Sequence, residues 1–226
     1  MSNPNSDSSS PPSTNTNPAS SDHSKCPFGS PNRYTTTHDT TTHNAIFFPS
    51  DSTTLPSPIP SYTAGGMVVH DAWSTTTTTH PSSRLSFTSD ADISSSPHLL
   101  PPPPTRSIWF PSPGETLLRY CDWPPGATLP LHRTETLDLG VCVAGSMELT
   151  LDSGQTRTLR VGDVVVQRGT MHAWRNASGT EWARVVFFLA GAEAVDVGGG
   201  GVVMREVLPW AASGGGGGSE SDIVKE

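Results

Sequence analysis

The sequence predicts an all-β fold, a small barrel or sandwich of short strands flanked by disordered N- and C-terminal tails. Three observations carry this expectation. Seven short runs rich in Val, Leu, Thr and aromatics lie between residues 117 and 189, turn-forming residues separate them, and no helical period occurs in that region. The runs are residues 117–123, 137–143, 147–151, 156–159, 163–167, 172–175 and 182–189. Pro-Gly, Ala-Gly-Ser, Asp-Ser-Gly, Arg-Gly and Ala-Ser-Gly punctuate them, residue types that supply the backbone angles of tight turns. Met147, Leu149 and Leu151 alternate with Glu148, Thr150 and Asp152, the period of a strand with one dry and one wet face. A last apolar run, 202–210, is expected to add an outer strand after the glycines at 198–201.

The 226 residues include 22 prolines and 21 glycines, and only 33% are hydrophobic, so much of the chain lies outside a core and one domain is expected. Residues 1–31, built from Ser, Pro, Asn, Thr and Asp, and the glycine-rich 211–226 are expected to be disordered tails. The domain then spans 32–210, with its barrel core at about 117–190. Between 32 and 105 the apolar patches 45–48, 67–73 and 84–87 are read as short strands or loops laid over the barrel. The Thr run 75–79 and the prolines 101–104 are read as extended connections.

A net charge of -8 without a basic cluster argues against nucleic acid and anionic membranes as partners. Three cysteines, Cys26, Cys121 and Cys142, make no disulfide framework and fit a reducing compartment. With no basic, apolar secretion signal at the start and no run of membrane-spanning length, a cytoplasmic protein is expected. The sequon Asn176-Ala177-Ser178 is accordingly read as accidental.

His132, Asp138 and His172 are ligand types that suit a borderline divalent metal, and all three fall in or beside strand-like segments. Two imidazoles and one carboxylate would leave open positions for water, oxygen or a chelating substrate. Counting by alternation from Asp138, Gly140 and Cys142 would face inward, and Trp174 would share the face of His172. Thr134, Cys142, Gln167 and Trp174 are therefore candidate pocket residues, with the indole offering a flat surface to an aromatic ligand. The alternative gives His172 a structural hydrogen bond to Thr170 and makes Asp138 a buried carboxylate satisfied by Arg133, Thr134 or backbone N–H groups. His23, His38, His43, His70, His80 and His98 lack partners at ligand spacing and are assigned to the surface. Arg168 and Arg175 are read as solvated strand-end charges rather than guides for an acidic substrate.

Gly126, His132, Asp138 and Gly145 fall on the frame of the first cupin motif, and Gly162, Gly169, His172 and Asn176 on that of the second. Thr134 stands where the first motif carries its second histidine, Asp138 stands for its glutamate, and Gln167 takes the proline position of the second motif. The chain thus resembles the cupin superfamily, which implies a double-stranded β-helix (jelly-roll) barrel. The strings His132-Arg-Thr-Glu-Thr-Leu-Asp138, Gly162-Asp-Val-Val-Val-Gln-Arg-Gly-Thr170 and His172-Ala-Trp-Arg-Asn176 are similar to fungal single-domain cupins of polyketide and secondary-metabolite gene clusters. Arg33-Tyr-Thr-Thr-Thr-His-Asp39 resembles the opening of their domain.

The resemblance implies an oxidoreductase acting on a small aromatic or polyketide-derived intermediate, of the salicylaldehyde kind, with His132 and His172 catalytic. It implies a divalent metal, Fe, Mn, Zn or Ni, at His132, Asp138 and His172, and a homodimer paired through outer strands. No nucleotide cofactor is expected, since no Gly-x-Gly-x-x-Gly follows a strand. Two other readings keep the fold: a metal-independent decarboxylase, dehydratase or cyclase using His132 or His172 as acid or base, and a non-catalytic small-molecule-binding cupin.

Overall fold

The computed structural model describes residues 26–48, 55–75, 108–197, 202–210 and 223–225, and among these every regular element is a strand. The expected connections at 76–79 and 101–104, the apolar patch 84–87, and His23, His80 and His98 lie outside the described residues.

Two antiparallel sheets face each other. The larger has the order β10(Val164–Arg168), β7(Thr136–Ala144), β12(Ala183–Gly191), β5(Thr116–Trp123), β4(Met67–Thr75) and β3(Tyr62–Ala64). The smaller has the order β6(Thr128–His132), β11(His172–Arg175), β8(Ser146–Leu151) and β9(Thr156–Arg160). The expected period of two is visible in the burial of β7, whose Thr136, Asp138, Gly140 and Cys142 point inward while its alternate residues face out. Met147 and Leu149 of β8 turn inward as their spacing predicts. They join Leu117, Trp123, Val185 and Phe187 in one apolar core between the sheets. Gly145 makes the turn from β7 to β8 at φ 66°, where an added Cβ would stand 2.5 Å from the Trp182 carbonyl oxygen, so only glycine fits.

The N-terminal half contributes more than loops. β4 pairs with β5 along most of its length and is buried on both faces. The outer face of the neighbouring strands β5 and β12 is covered by residues the sequence places in the tail. Cys26 Sγ donates to Asp122 Oδ2 at 3.3 Å, Arg184 donates to the Gly29 carbonyl at 2.8 Å, and the Arg184 guanidinium lies over the Phe28 ring. His70 belongs to this layer, which corrects its assignment to the surface. It is 2% exposed, with Nε2 3.3 Å from the Asp122 carboxylate, because a strand covered on both sides buries its outward residues too. His38 and His43 are exposed as expected.

At the other end only β14(Val202–Met204) of the run 202–210 is a strand, between β13(Val195–Asp196) and β15(Ile223–Lys225). β15 falls in the stretch expected to be a disordered tail. After β14 the chain crosses to the barrel, where Val207 and Arg133 exchange two backbone hydrogen bonds of 2.9 Å. The remaining pair, β1(Thr36–His38) and β2(Ala45–Phe47), forms a separate hairpin.

Candidate functional site

β6 ends on His132, β11 begins on His172, and the antiparallel register sets the two directly opposite each other. Their ring centroids are 4.2 Å apart. In each ring Nδ1 lies 2.8 Å from a carbonyl two residues upstream, that of Pro130 for His132 and of Thr170 for His172. A carbonyl only accepts, so Nδ1 carries the proton of each neutral ring and Nε2 keeps its lone pair. Burial disfavours the imidazolium. It pushes His172 down to about 4, helped by neighbouring His132 and opposed by the bond to Thr170, and it also lowers His132.

The facing wall comes from the larger sheet, where Asp138 of β7 and Gln167 of β10 are cross-strand partners. Both are buried, and Asp138 Oδ1 and both amide atoms of Gln167 have no hydrogen-bond partner in the chain. Burial raises the Asp138 carboxyl from 3.8 to about 6, against the Thr136 hydroxyl and the Arg119 charge. Arg119, on the inner face of β5, is 2% exposed. Its Nε and Nη2 donate to the Asp71 carboxylate at 2.7 and 3.2 Å, and Nη2 also donates to the Tyr62 hydroxyl at 3.1 Å. That hydroxyl in turn donates to Asp71 at 2.9 Å. Removing one partner of such a pair leaves a buried charge and costs about 3–5 kcal/mol.

Between these walls lies a cavity of about 50 Å³, lined by Arg119, His132, Thr134, Asp138, Gln167 and His172 among apolar side chains. It has room for roughly four waters, and so for a small molecule or the head of a larger one. Trp210, carried in by the segment after β14, meets His132 edge-on at 5.0 Å.

A divalent metal fits the two imidazoles and not the third expected ligand. Both Nε2 lone pairs are ligand-ready, with Nδ1 anchored as ligating histidines require. Yet among the described residues no group of three His, Cys, Asp or Glu side chains is placed to share an ion. His132, Asp138 and His172 therefore line one cavity without forming a coordination shell. The histidines stand on one sheet and Asp138 on the other, sheets pack about 10 Å apart, and aspartate reaches one methylene less far than glutamate.

Of the expected pocket residues, Thr134, Gln167 and Trp174 line the cavity. Trp174 lies 6.2 Å from His172, on the same face as expected. Cys142 is buried away from the lining, its thiol 3.6 Å from the Ala144 carbonyl. Gly140 faces inward, but the Phe187 ring fills the space it leaves. Arg175 pairs with Glu148 on the exposed surface and Arg168 is exposed. The Asn176 amide is fully buried against three carbonyls, which closes the sequon to modification in the folded chain. Arg119, Asp71, Tyr62 and Trp210 were not singled out from the sequence. A charge at an alternating inward position of an apolar strand, as Arg119 is in Leu117–Trp123, was the available signal.

Residues 119–188 match the cupin domain family. The chain is 39% identical over 176 residues to phomopsin biosynthesis cluster protein C' of Diaporthe leptostromiformis, covering 76% of this chain and 86% of that one. It is 42% identical over 111 residues to oryzines biosynthesis cluster protein J of Aspergillus oryzae, covering 49% and 59%. It is 46% identical over 87 residues to cupin-domain-containing oxidoreductase srdD of Neurospora crassa, covering 37% and 44%. With the two-sheet barrel, both motif histidines in place and this extent of likeness, the chain belongs to the cupin family, among the fungal single-domain cupins of secondary-metabolite clusters.

Proposed function

We propose that this cupin is an enzyme of secondary-metabolite biosynthesis that moves protons on a small oxygenated intermediate, aromatic or polyketide-derived, held between the two sheets. The observation that supports it best is one cavity holding two neutral imidazoles and a carboxyl whose ionisation is raised to about 6. A carboxyl that titrates near neutrality, in mostly apolar surroundings, suits removal of a proton from carbon beside a carbonyl. The imidazole Nε2 atoms accept hydrogen bonds from substrate hydroxyls, and Asp138 takes and returns the carbon-bound proton.

The test uses pyruvate as probe. In deuterated buffer near neutral pH, the protein is expected to speed methyl-proton exchange, followed by NMR, and Asp138→Asn is expected to lower that rate by about 10²-fold or more. Exchange at the buffer rate in the unmodified protein would overturn the reading.

The oxidoreductase names of relatives support a second, redox reading. It expects stoichiometric Fe, Mn, Zn or Ni by elemental analysis, lost in His132→Ala and His172→Ala and kept or raised in Asp138→Glu, which restores the longer ligand. Metal content well below stoichiometric and unchanged by these substitutions would remove it.

A further inference from the structure

We propose that the amide of Gln167 reads the substrate as a carbonyl with a hydroxyl on the neighbouring carbon, Nε2 donating to the carbonyl oxygen and Oε1 accepting from the hydroxyl, so that the hydroxyl-bearing carbon lies beside Asp138. This rests on the proton-transfer reading of the same site and adds the substrate class.

Gln167 is 3% exposed, lines the cavity, and leaves both its amide nitrogen and its amide oxygen without a partner in the chain. A buried side chain serving only the fold would be expected to find partners or to be apolar, because a buried polar group left unpaired carries its full desolvation cost. An acceptor stands next to it. Asp138 is its cross-strand partner on β7, and Asp138 Oδ1 is unpartnered as well. Directly opposed residues of an antiparallel pair have Cβ atoms about 5 Å apart and side chains on one face. A donor and an acceptor that stand side by side without bonding each other leave both for a third group in the cavity. Arg119 does not compete for this place, since it lies across β7 and β12 from β10 and turns its guanidinium to Asp71 and Tyr62.

The class of ligand follows from the amide. A primary amide presents a donor and an acceptor side by side in one plane, and a partner that offers an acceptor next to a donor meets both at once, as adenine does. A carbonyl and a hydroxyl on adjacent carbons make that pattern. A lone ketone supplies half of it, and a carboxylate offers two acceptors and no donor. Both ends of the Gln167 amide are unpartnered, so the match holds whichever way the amide is turned. A ligand that displaces water from these atoms without replacing both bonds loses affinity.

The same placement serves the chemistry. The hydroxyl-bearing carbon is next to the carbonyl, and the Asp138 carboxylate takes its proton. The C–H electron pair forms the carbon–carbon double bond while the carbonyl π pair moves onto oxygen. The enediolate oxygen so formed keeps the hydrogen bond from Nε2, which strengthens as the charge develops. Asp138 then returns the proton to carbon, and nothing is oxidised or reduced overall.

The experiment measures binding of hydroxyacetone and of acetone, which lacks the hydroxyl, by ligand-observed NMR titration of the full chain. It also follows exchange of the carbon-bound protons of hydroxyacetone in deuterated buffer near neutral pH. The unmodified protein is expected to prefer hydroxyacetone by about five-fold or more. Gln167→Met keeps the length of the side chain and removes both amide atoms. Those atoms have no partner in the chain, so this variant is expected to melt no lower than the unmodified protein. It should bring the preference to about two-fold or less and slow exchange by about 10²-fold. Gln167→Leu gives the same readings should Gln167→Met not fold. The absence of a preference in the unmodified protein would overturn the proposal. So would undiminished exchange in the folded variant, or a surviving preference there, which would assign the hydroxyl to the histidine pair. A preference that the substitution abolishes, without accelerated exchange in the unmodified protein, sinks the proton-transfer reading and leaves the amide's recognition of the substrate standing. Accelerated exchange with equal affinities does the reverse.

Discussion

His132 and His172 were legible as a pair because both motifs put histidine at a fixed distance from turn glycines, and the register of β6 with β11 then makes them neighbours. Asp138 was legible as an inward carboxylate and not as one set apart from the imidazoles, since which sheet a strand joins is not written in its own residues. Its environment gives a prediction. A carboxyl displaced from 3.8 to about 6 is penalised in its ionised form, so the native state loses roughly 3 kcal/mol above pH 6 and nothing well below pH 3.8. Asp138→Asn is therefore expected to raise the melting temperature at pH 7.5 by several degrees while losing activity. A lower melting temperature would show that the carboxylate is satisfied. Arg119 stayed hidden because an inward arginine becomes informative only once its partners, on β3 and β4, are known.

At the scale of elements, the strands with clean alternation and glycine-marked turns were readable: β7, β8 and β11 match their expected spans within a residue or two. β6 was not marked as a strand, although it carries His132. It is five residues long, contains Pro130, and runs at a sheet edge, where proline is tolerated. β4 was ambiguous because its run sits among Thr- and Pro-rich stretches, and its role as an inner strand depends on pairing with the distant β5. The segment after β14 was expected to be an outer strand and instead brings Trp210 onto His132. Trp210→Ala is accordingly expected to speed modification of His132 by diethyl pyrocarbonate several-fold, read by peptide mass spectrometry, with the exposed His38 as internal reference. An unchanged rate would show that Trp210 does not shield the ring.

For the molecule as a whole, two ionisations across the cavity oppose each other. His172 stays neutral in the folded state down to about 4, whereas the unfolded chain takes up that proton near 6.5, so stability falls as pH drops through this window. Asp138 acts in the opposite sense, its penalty fading as pH falls from about 6 toward 3.8. Asp122 enters lower. Burial would raise it, but Arg184 and His70 hold it below the ordinary carboxylate value, and its contribution is lost only as pH falls through that depressed value. The unmodified protein is thus expected to show a shallow dependence of melting temperature on pH between 6.5 and 4. Asp138→Asn should melt progressively lower on acidification across that range, and His172→Gln should shift the slope the other way. Parallel slopes in all three would mean that the two groups do not titrate as the cavity requires.

The central claim, that Asp138 moves a proton within the cavity it shares with the histidine pair, is tested most directly by the pH dependence of pyruvate methyl-proton exchange. With the carboxylate as the base, the protein-dependent rate should rise through pH about 6 and level off above it. Asp138→Asn should show neither the rise nor the acceleration. A profile without a change near pH 6, or one that survives unaltered in Asp138→Asn, would contradict the account.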